Sequence, residues 1–554
     1  MKKVFFIACI LSLPLAIWAQ TVTVDASLAS PDNISTFNSL QTAITSFQAS
    51  GDVTAGTDGS GVGKNHGNAT SDAIHIITAV PIDEAIFIDA EAASASGLHI
   101  LDEDLVIQGQ GVNAIVALKQ SGFGAVANDC GFFFRQDVNL TLEHIIFMPS
   151  AADAPTDDGL FFMSRINGVH TTITVDNVMV TANNGSNAPI ISTGLEDGVS
   201  VEVLLDAAGT VGFGDSAIDL VSRTEGGSIT MNATNLVVSA FNKSFTMLDP
   251  RTGEGNNDAF FLSMEGDIKD IINAFLNLGE GCVISQTPRR GVTNNNGGYV
   301  KVNGSDTNPV IFYNCHSDGI FNTSNDTSPT QATICEVNNC IMVNFDNSGL
   351  KEQETFGRGF VKSVTNTIIA NSKLPGIQFH AFGALPPGVT STAIIDNVTF
   401  HNCGYAAGTN VNYDFRASCV GSPRYKTTSF SNRNIAITNT IISGAGLTGI
   451  YNSSSGAYDV DYSALVTQDA PGYEYALAVE TAGPGAINLG SHVINDNPCY
   501  ITWMDTDVAS ADFMDVDNTA FGGKGTTGSN LSGGADYIGG TSALHADASW
   551  SLYE

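Results

Sequence analysis

Positive charge is scarce in this chain. Lys and Arg number 22 against 56 Asp and Glu, and the formal net charge is −34. Phosphate recognition needs a basic surface, so this balance argues against a nucleic-acid partner. It also disfavours anionic polysaccharides unless Ca²⁺ bridges the two, which leaves Ca²⁺ as the cofactor still open. Charged residues of both signs make up only 14% of the chain. Gly, Asn, Ser, Thr and Ala take their place, which suits short strands and many turns better than helices. The hydrophobic share of 43% is ample for a large core and argues against wholesale disorder.

Long apolar runs are missing everywhere except at the start. Lys2 and Lys3 precede an apolar run from Val4 to Ile17, and small Ala19 precedes Gln20. This is the pattern of a secretory signal peptide, with cleavage expected after Ala19. The run is shorter than the ~20 residues that span a bilayer, so no transmembrane segment is expected. Cys9 lies too early in it for a lipid-modified cysteine. The mature chain is expected to be secreted, extracellular or at the cell surface, with the periplasm as the other compartment. Zinc-type cysteine spacing is missing too. Beyond Cys9 stand Cys130, Cys282, Cys315, Cys335, Cys340, Cys403, Cys419 and Cys499, an even number in a compartment that permits disulfides.

What is present is an internal repeat. A polar residue, usually Asn, follows two alternating apolar positions and precedes two more. It recurs at Asn177, Asn235, Asn314, Asn339, Asn366, Asn397 and Asn439. Two residues before each stand Val175, Ala233, Phe312, Val337, Val364, Ile395 and Ile437, all apolar. Four before, the apolar set is broken only by Lys362. Two further segments fit around His144 and Tyr462. This is period-two alternation on both sides of a turn residue. Asn tolerates a left-handed turn, and its amide can bond the same amide in a stacked neighbour. A further strand follows the next loop, with a shared start at Gly319-Ile320-Phe321, Gly376-Ile377-Gln378 and Gly449-Ile450-Tyr451, and a weaker member at Gly349-Leu350-Lys351.

These features predict an all-β fold, a right-handed parallel β-helix (solenoid) with an N-terminal capping helix. Phe37, Leu40, Ile44 and Phe47 at helical spacing place that helix over Thr36 to Gln48. The domain organisation reads as a signal peptide over 1–19, a cap and loop over 20–70, the β-helix over 71–467, and a C-terminal region and cap over 468–554.

The segments Phe37 to Ile44, Asp72 to Ile76 and Leu105 to Gly111 resemble the opening of pectin-lyase-like β-helix proteins. The tail, Ala520 to Leu531 and Ala535 to Gly539, is similar to the carboxy end of many secreted bacterial right-handed β-helix proteins. The resemblance covers roughly residues 35 to 540 at the level of the superfamily. It implies the β-helix fold and an extracellular polysaccharide as partner. Enzymes of that superfamily include pectate lyases, pectin methylesterases and polygalacturonases, and their catalytic motifs are absent here. An enzyme of this kind would be a polysaccharide lyase or a glycoside hydrolase acting through a different residue set.

Substrates of such enzymes lie along a parallel sheet. With Ile320, Ile377 and Ile450 inward, Phe321, Gln378 and Tyr451 face outward as an exposed substrate-binding column, with His380 beside them as the candidate catalytic acid or base. Ordinary surface residues, or residues under loops, give the same pattern. Lys351 joins this column only if Glu352 turns inward. Cys315 and Cys340 both follow a motif Asn and are expected at one coil position, as a disulfide or as buried thiols. Asp505, Asp507, Asp512, Asp515 and Asp517 read as a Ca²⁺ site or a solvated acidic loop, in no known calcium-loop spacing. Gly61 to Asn65 fails the phosphate-loop pattern. Two function classes remain. One is a secreted protein that binds an extracellular polysaccharide, with its cleavage left open. The other is a non-catalytic surface, adhesion or spacer protein.

Overall fold

The computed structural model describes residues 21–47, 72–78, 80–90, 101, 104–110, 114–121, 130–156, 158–164, 170–181, 216–223, 228–239, 260–265, 274–285, 287, 289–295, 297–323, 333–352, 359–379, 392–404, 418–422, 433–443, 448–452, 456–466, 475–479 and 486–493. The expected signal peptide lies outside them, and so does the acidic run Asp505 to Asp517.

The chain is a right-handed parallel β-helix. One coil shows the plan. A first strand, Gly298–Asn303, ends at a turn. A second strand, Val310–Cys315, ends at another turn, and a third, Ile320–Thr323, leads into a loop. Every strand pairs in parallel with its counterparts in the coils before and after, for instance Val300 with Leu276 and with Cys335. In some coils the first two strands run on as one, as in Thr333–Phe345 and Gly359–Ser372.

Alternation buries one side of each strand. The residues two before the first turn stack into a continuous column, Val175, Ala233, Leu278, Val302, Val337, Val364, Ile395, Ile437 and Val460. None of the nine is more than 3% exposed. Branched side chains stacked at strand spacing fill such a core without gaps. The Lys362 exception has a local cause. A register shift between Cys335 and Glu336 pairs Val361 with Cys335 and Ser363 with Glu336. Lys362 is the bulged residue, so Val361 keeps the core filled and the ammonium stays in solvent.

The first turn is held by residues in the left-handed region. His144, Asn177, Asn235, Asn339, Asn366, Asn397, Asn439 and Tyr462 have φ between 47° and 56°. Asn314 does not belong with them. It pairs in register with Asn344, and Asn371 and Asn402 continue that row at the second turn, with φ from 51° to 64°. In its coil the first-turn position falls to Gly304, whose N–H donates to the Asn338 carbonyl. Both turns ask for a left-handed residue after an alternating strand, so one local pattern serves two places. The same slip corrects the expectation for the cysteines. Cys315 lies beside Phe345 and Cys340 beside Val310, so they do not share a coil position.

The capping helix is Leu40–Ser46, shorter than expected. Ser39 accepts the Thr42 N–H at 3.1 Å as its N-cap. Thr36–Phe37 is instead a strand paired with Thr23 and Val24. Phe37, Leu40, Ile44 and Phe47 are all buried and seal the first coil. The parallel ladders extend past both ends of the visible repeat. Thr21–Val24 pairs with Asp72–Ile76, and Tyr475–Val479 and Ala486–Leu489 continue the sheets beyond residue 467.

Candidate functional site

The third strands bring Thr293, Phe321, Lys351, Gln378, Gly421 and Tyr451 side by side in one row. Ile320, Leu350, Ile377, Val420 and Ile450 fill the core behind it. The structure thus places Phe321, Gln378 and Tyr451 together. It corrects the expectation that they are exposed. Phe321 is 5% exposed and Gln378 6%, while Tyr451 is half-buried. His380 lies outside the described residues.

Much of the outer row of this sheet is buried. Towards the N-terminal end Phe87, Phe133 and Phe161 stack outside the sheet at centroid distances of 5.3 and 5.5 Å. With Cys130, Met163 and Val221 they form a second apolar cluster. Beside it the buried Arg135 holds Asp89 through two hydrogen bonds of 2.7 Å. Further along, the Arg290 guanidinium sits 3.7 Å from the Phe321 ring centroid and the Lys351 ammonium 5.5 Å from it. Arg290 is itself held, with Nε 3.6 Å from Asp318 Oδ2 and Nη1 donating to Thr293 Oγ1 at 3.3 Å. Two cations therefore occupy the aromatic face that a sugar ring would need.

The second turn, next to this cluster in the chain, carries a cleft. Asn314, Asn344 and Asn371 stack in left-handed conformation and line a cavity of 280 Å³ together with Cys315, His316, Phe345 and Asp346. Cys315 and Phe345 are buried and form its floor. The asparagines are half-buried and form its wall. Asn402 Nδ2 donates to Asn371 Oδ1 at 2.9 Å, which orients the last amide.

The residues two beyond each asparagine stack at the rim. His316 Nδ1 contacts Asp346 Oδ2, and Lys373 Nζ reaches Asp346 Oδ1 at 2.5 Å. Their side chains are 56%, 33% and 43% exposed in the order His316, Asp346, Lys373. Exposed ion pairs contribute about 0–1 kcal/mol, so this set does little for folding and stays open to solvent. A histidine oriented by a carboxylate suits proton transfer, and a row of amides offers paired donors and acceptors to hydroxyl groups. Asp346 is the one carboxylate among the described residues that line the cleft. Two-carboxylate glycoside hydrolysis needs a second. Among the described residues no group of three or more His, Cys, Asp or Glu is placed to hold a metal.

Sequence reasoning reached Asn314 but not this site. The usable signal was a second asparagine five positions after the first, in Asn339 and Asn344, Asn366 and Asn371, and Asn397 and Asn402. Asn314 fits the first-turn pattern as well as the second, which masks that signal. A second group was also missed. Phe275 and Tyr299 are half-buried outward neighbours on the first strands, with ring centroids 6.1 Å apart. Burial and a hydrogen bond to Glu336 hold the Tyr299 phenol well above its ordinary pKa. Lys362, the bulged residue, pairs with Glu336 beside it.

No protein-family profile matches this sequence, and no curated protein matches it. Among solved structures, the A-module of the Azotobacter vinelandii mannuronan C-5 epimerase AlgE4 is similar, at 12% identity and a TM-score of 0.30, over 76% of this chain and 91% of that one. The A-module of AlgE6 from the same organism is similar at 10% identity and a TM-score of 0.30, over 77% and 91%. At this distance the likeness assigns no residue and no activity.

Proposed function

We propose that this protein is secreted and binds an extracellular polysaccharide along the second turn of its β-helix. The observation that carries the reading is the cleft at Asn314, Asn344 and Asn371, rimmed by His316, Asp346 and Lys373. Coils repeat at about 4.8 Å, roughly the length of one sugar unit, so a stacked amide row meets successive units with the same polar groups. Lys373 brings an ammonium and His316 an imidazole to one carboxylate in a chain of net charge −34. This gives a sugar acid or hydroxyl group a local place to bind without a basic surface elsewhere. The His316–Asp346 pair is the acid–base candidate should bond cleavage accompany binding.

The spacer reading keeps one observation in its favour. In the third sheet, where the sequence placed a substrate groove, outward Phe87, Phe133, Phe161 and Phe321 are buried, and Arg290 lies on the Phe321 ring. A panel of soluble polysaccharides, run by affinity electrophoresis with and without Ca²⁺ and assayed for released reducing or unsaturated ends, separates the two. Binding should appear for at least one glycan. His316→Ala and Lys373→Ala should weaken it by about tenfold each, the equivalent of ~1.4 kcal/mol. Retardation that is identical in both variants would move the site elsewhere. No retardation by any glycan would leave the spacer reading.

A further inference from the structure

We propose that Cys403 and Cys419 form a disulfide that staples the second turn of their coil. Both are fully buried. They are thiols in the structure, and Cys403 Sγ donates to the His401 carbonyl oxygen at 3.5 Å and to that of Ile369 at 3.6 Å.

Their places in the ladders carry the argument. The third strand of the neighbouring coils starts from glycine, at Gly291, Gly319, Gly349, Gly376 and Gly449. The register of Val420 with Ile377 and with Ile450 sets Cys419 in that glycine column. The column is tight. A Cβ at Gly319 would lie 3.0 Å from Phe345 Cε1, and one at Gly291 2.7 Å from Phe312 Cδ1. A core side chain of the next coil takes up the space where the glycine lacks one, Met342 and Phe345 at Gly319 and Ile369 at Gly349. Cys419 breaks the rule in the coil whose second-turn residue is Cys403. Cys403 follows Phe345 and Ser372 in its own row. Its Sγ would lie 3.0 Å from a Cβ at Gly376, and the Cys419 carbonyl oxygen would lie 3.1 Å from the same point. Phe400 Cδ1 would lie 2.9 Å from that point too, so a ring and a thiol share this corner, and the second thiol fills the next glycine position in the column. Packing alone would be served by glycine there, as in the coils on either side.

The bond would join the end of the second strand to the start of the third and close the segment 404–418 into a loop. Forming it removes two protons and two electrons from the two thiols. A disulfide exchange partner, small-molecule or protein, accepts them and leaves as two thiols, through a mixed disulfide that the second cysteine resolves. Complete burial requires closure before the coil is sealed, during folding.

Trypsin tests this directly. Cleavage after Arg416 and Arg424 leaves Cys403 and Cys419 on different peptides, each with no other cysteine. The full chain, refolded with glutathione disulfide and alkylated without reduction, should give the two peptides linked and unalkylated. Reduction should release both. The thermal midpoint should fall by a few degrees on adding dithiothreitol. Cys419→Gly restores the column residue, so it should fold and lose that response. Alkylation of both cysteines in the unreduced protein would overturn the proposal. So would an unchanged dithiothreitol response in Cys419→Gly, because another pair would then be the cause. Neither outcome bears on the polysaccharide reading.

Discussion

His401 couples stability to acid. It lies on the outer side of a second strand, in register with Ala370 and Ser443. Burial holds its imidazole neutral and lowers its pKa from 6.5 to about 4. An unfolded chain takes up a proton near the ordinary value, whereas the folded chain refuses it until well below. The contribution is therefore fully present above the unfolded pKa and is lost as pH falls towards the folded one. A shift of this size is worth about 3 kcal/mol at ~1.4 kcal/mol per unit. Carboxylates also titrate in this window, so the wild-type profile alone does not isolate the histidine. The comparison is urea unfolding of wild type and His401→Gln between about pH 7 and pH 4. The wild type should lose about 3 kcal/mol more than the variant across that range, whatever their offset at neutral pH. Parallel profiles would refute the assignment of a neutral buried imidazole.

Three other perturbations follow from the fold. Glu352 and Arg433 are both fully buried, with Arg433 Nε 3.5 Å from Glu352 Oε1 and the Val361 N–H donating to that same oxygen at 2.7 Å. Arg433→Met alone should cost about 3–5 kcal/mol in denaturant unfolding, and the pair Glu352→Leu with Arg433→Met much less. Asn397 has φ 56° and donates to Asn366 Oδ1 at 2.8 Å. Asn397→Ala should lower stability by about 1–2 kcal/mol and Asn397→Gly by less, since the backbone strain goes and only the amide bond is lost. Equal losses would place the energy in the amide ladder. Gly319→Ala would set a Cβ 2.6 Å from the Gly349 carbonyl oxygen. Its thermal midpoint should fall with a cost of about 1–3 kcal/mol, and no change would show that the column can spread.

The architecture was legible because a parallel solenoid repeats its demands. Most described coils from His144 onward put a left-handed residue after an alternating strand, and several third strands begin at a tight glycine corner. The sequence therefore shows asparagines and Gly-Ile starts even without any relative to align. The same economy produced the error. First and second turns ask for the same residue, so Asn314 matched the first-turn pattern while belonging to the second. Only the register with Asn344 separates the two rows. Lys362 looked like a breach of the core and is a bulge, which a count of positions along one strand does not reveal.

The candidate site was less legible, for a different reason. Period-two alternation states which side of a strand faces the core, and it is silent about what lies on the other side. Phe321 and Gln378 do point outward, and they are nevertheless buried. Glu352 turning inward looked like evidence against its coil. Its partner, Arg433, is distant in sequence and arrives only when the coils stack. The rim of the cleft has the same origin. His316, Asp346 and Lys373 are unrelated residues at one position of three coils, and no local motif contains them. A stacked fold makes a site by column, so chemistry must be sought by comparing equivalent positions between coils. That comparison depends on the turn register, and only with Asn314 in the row of Asn344 and Asn371 do His316, Asp346 and Lys373 fall at one position.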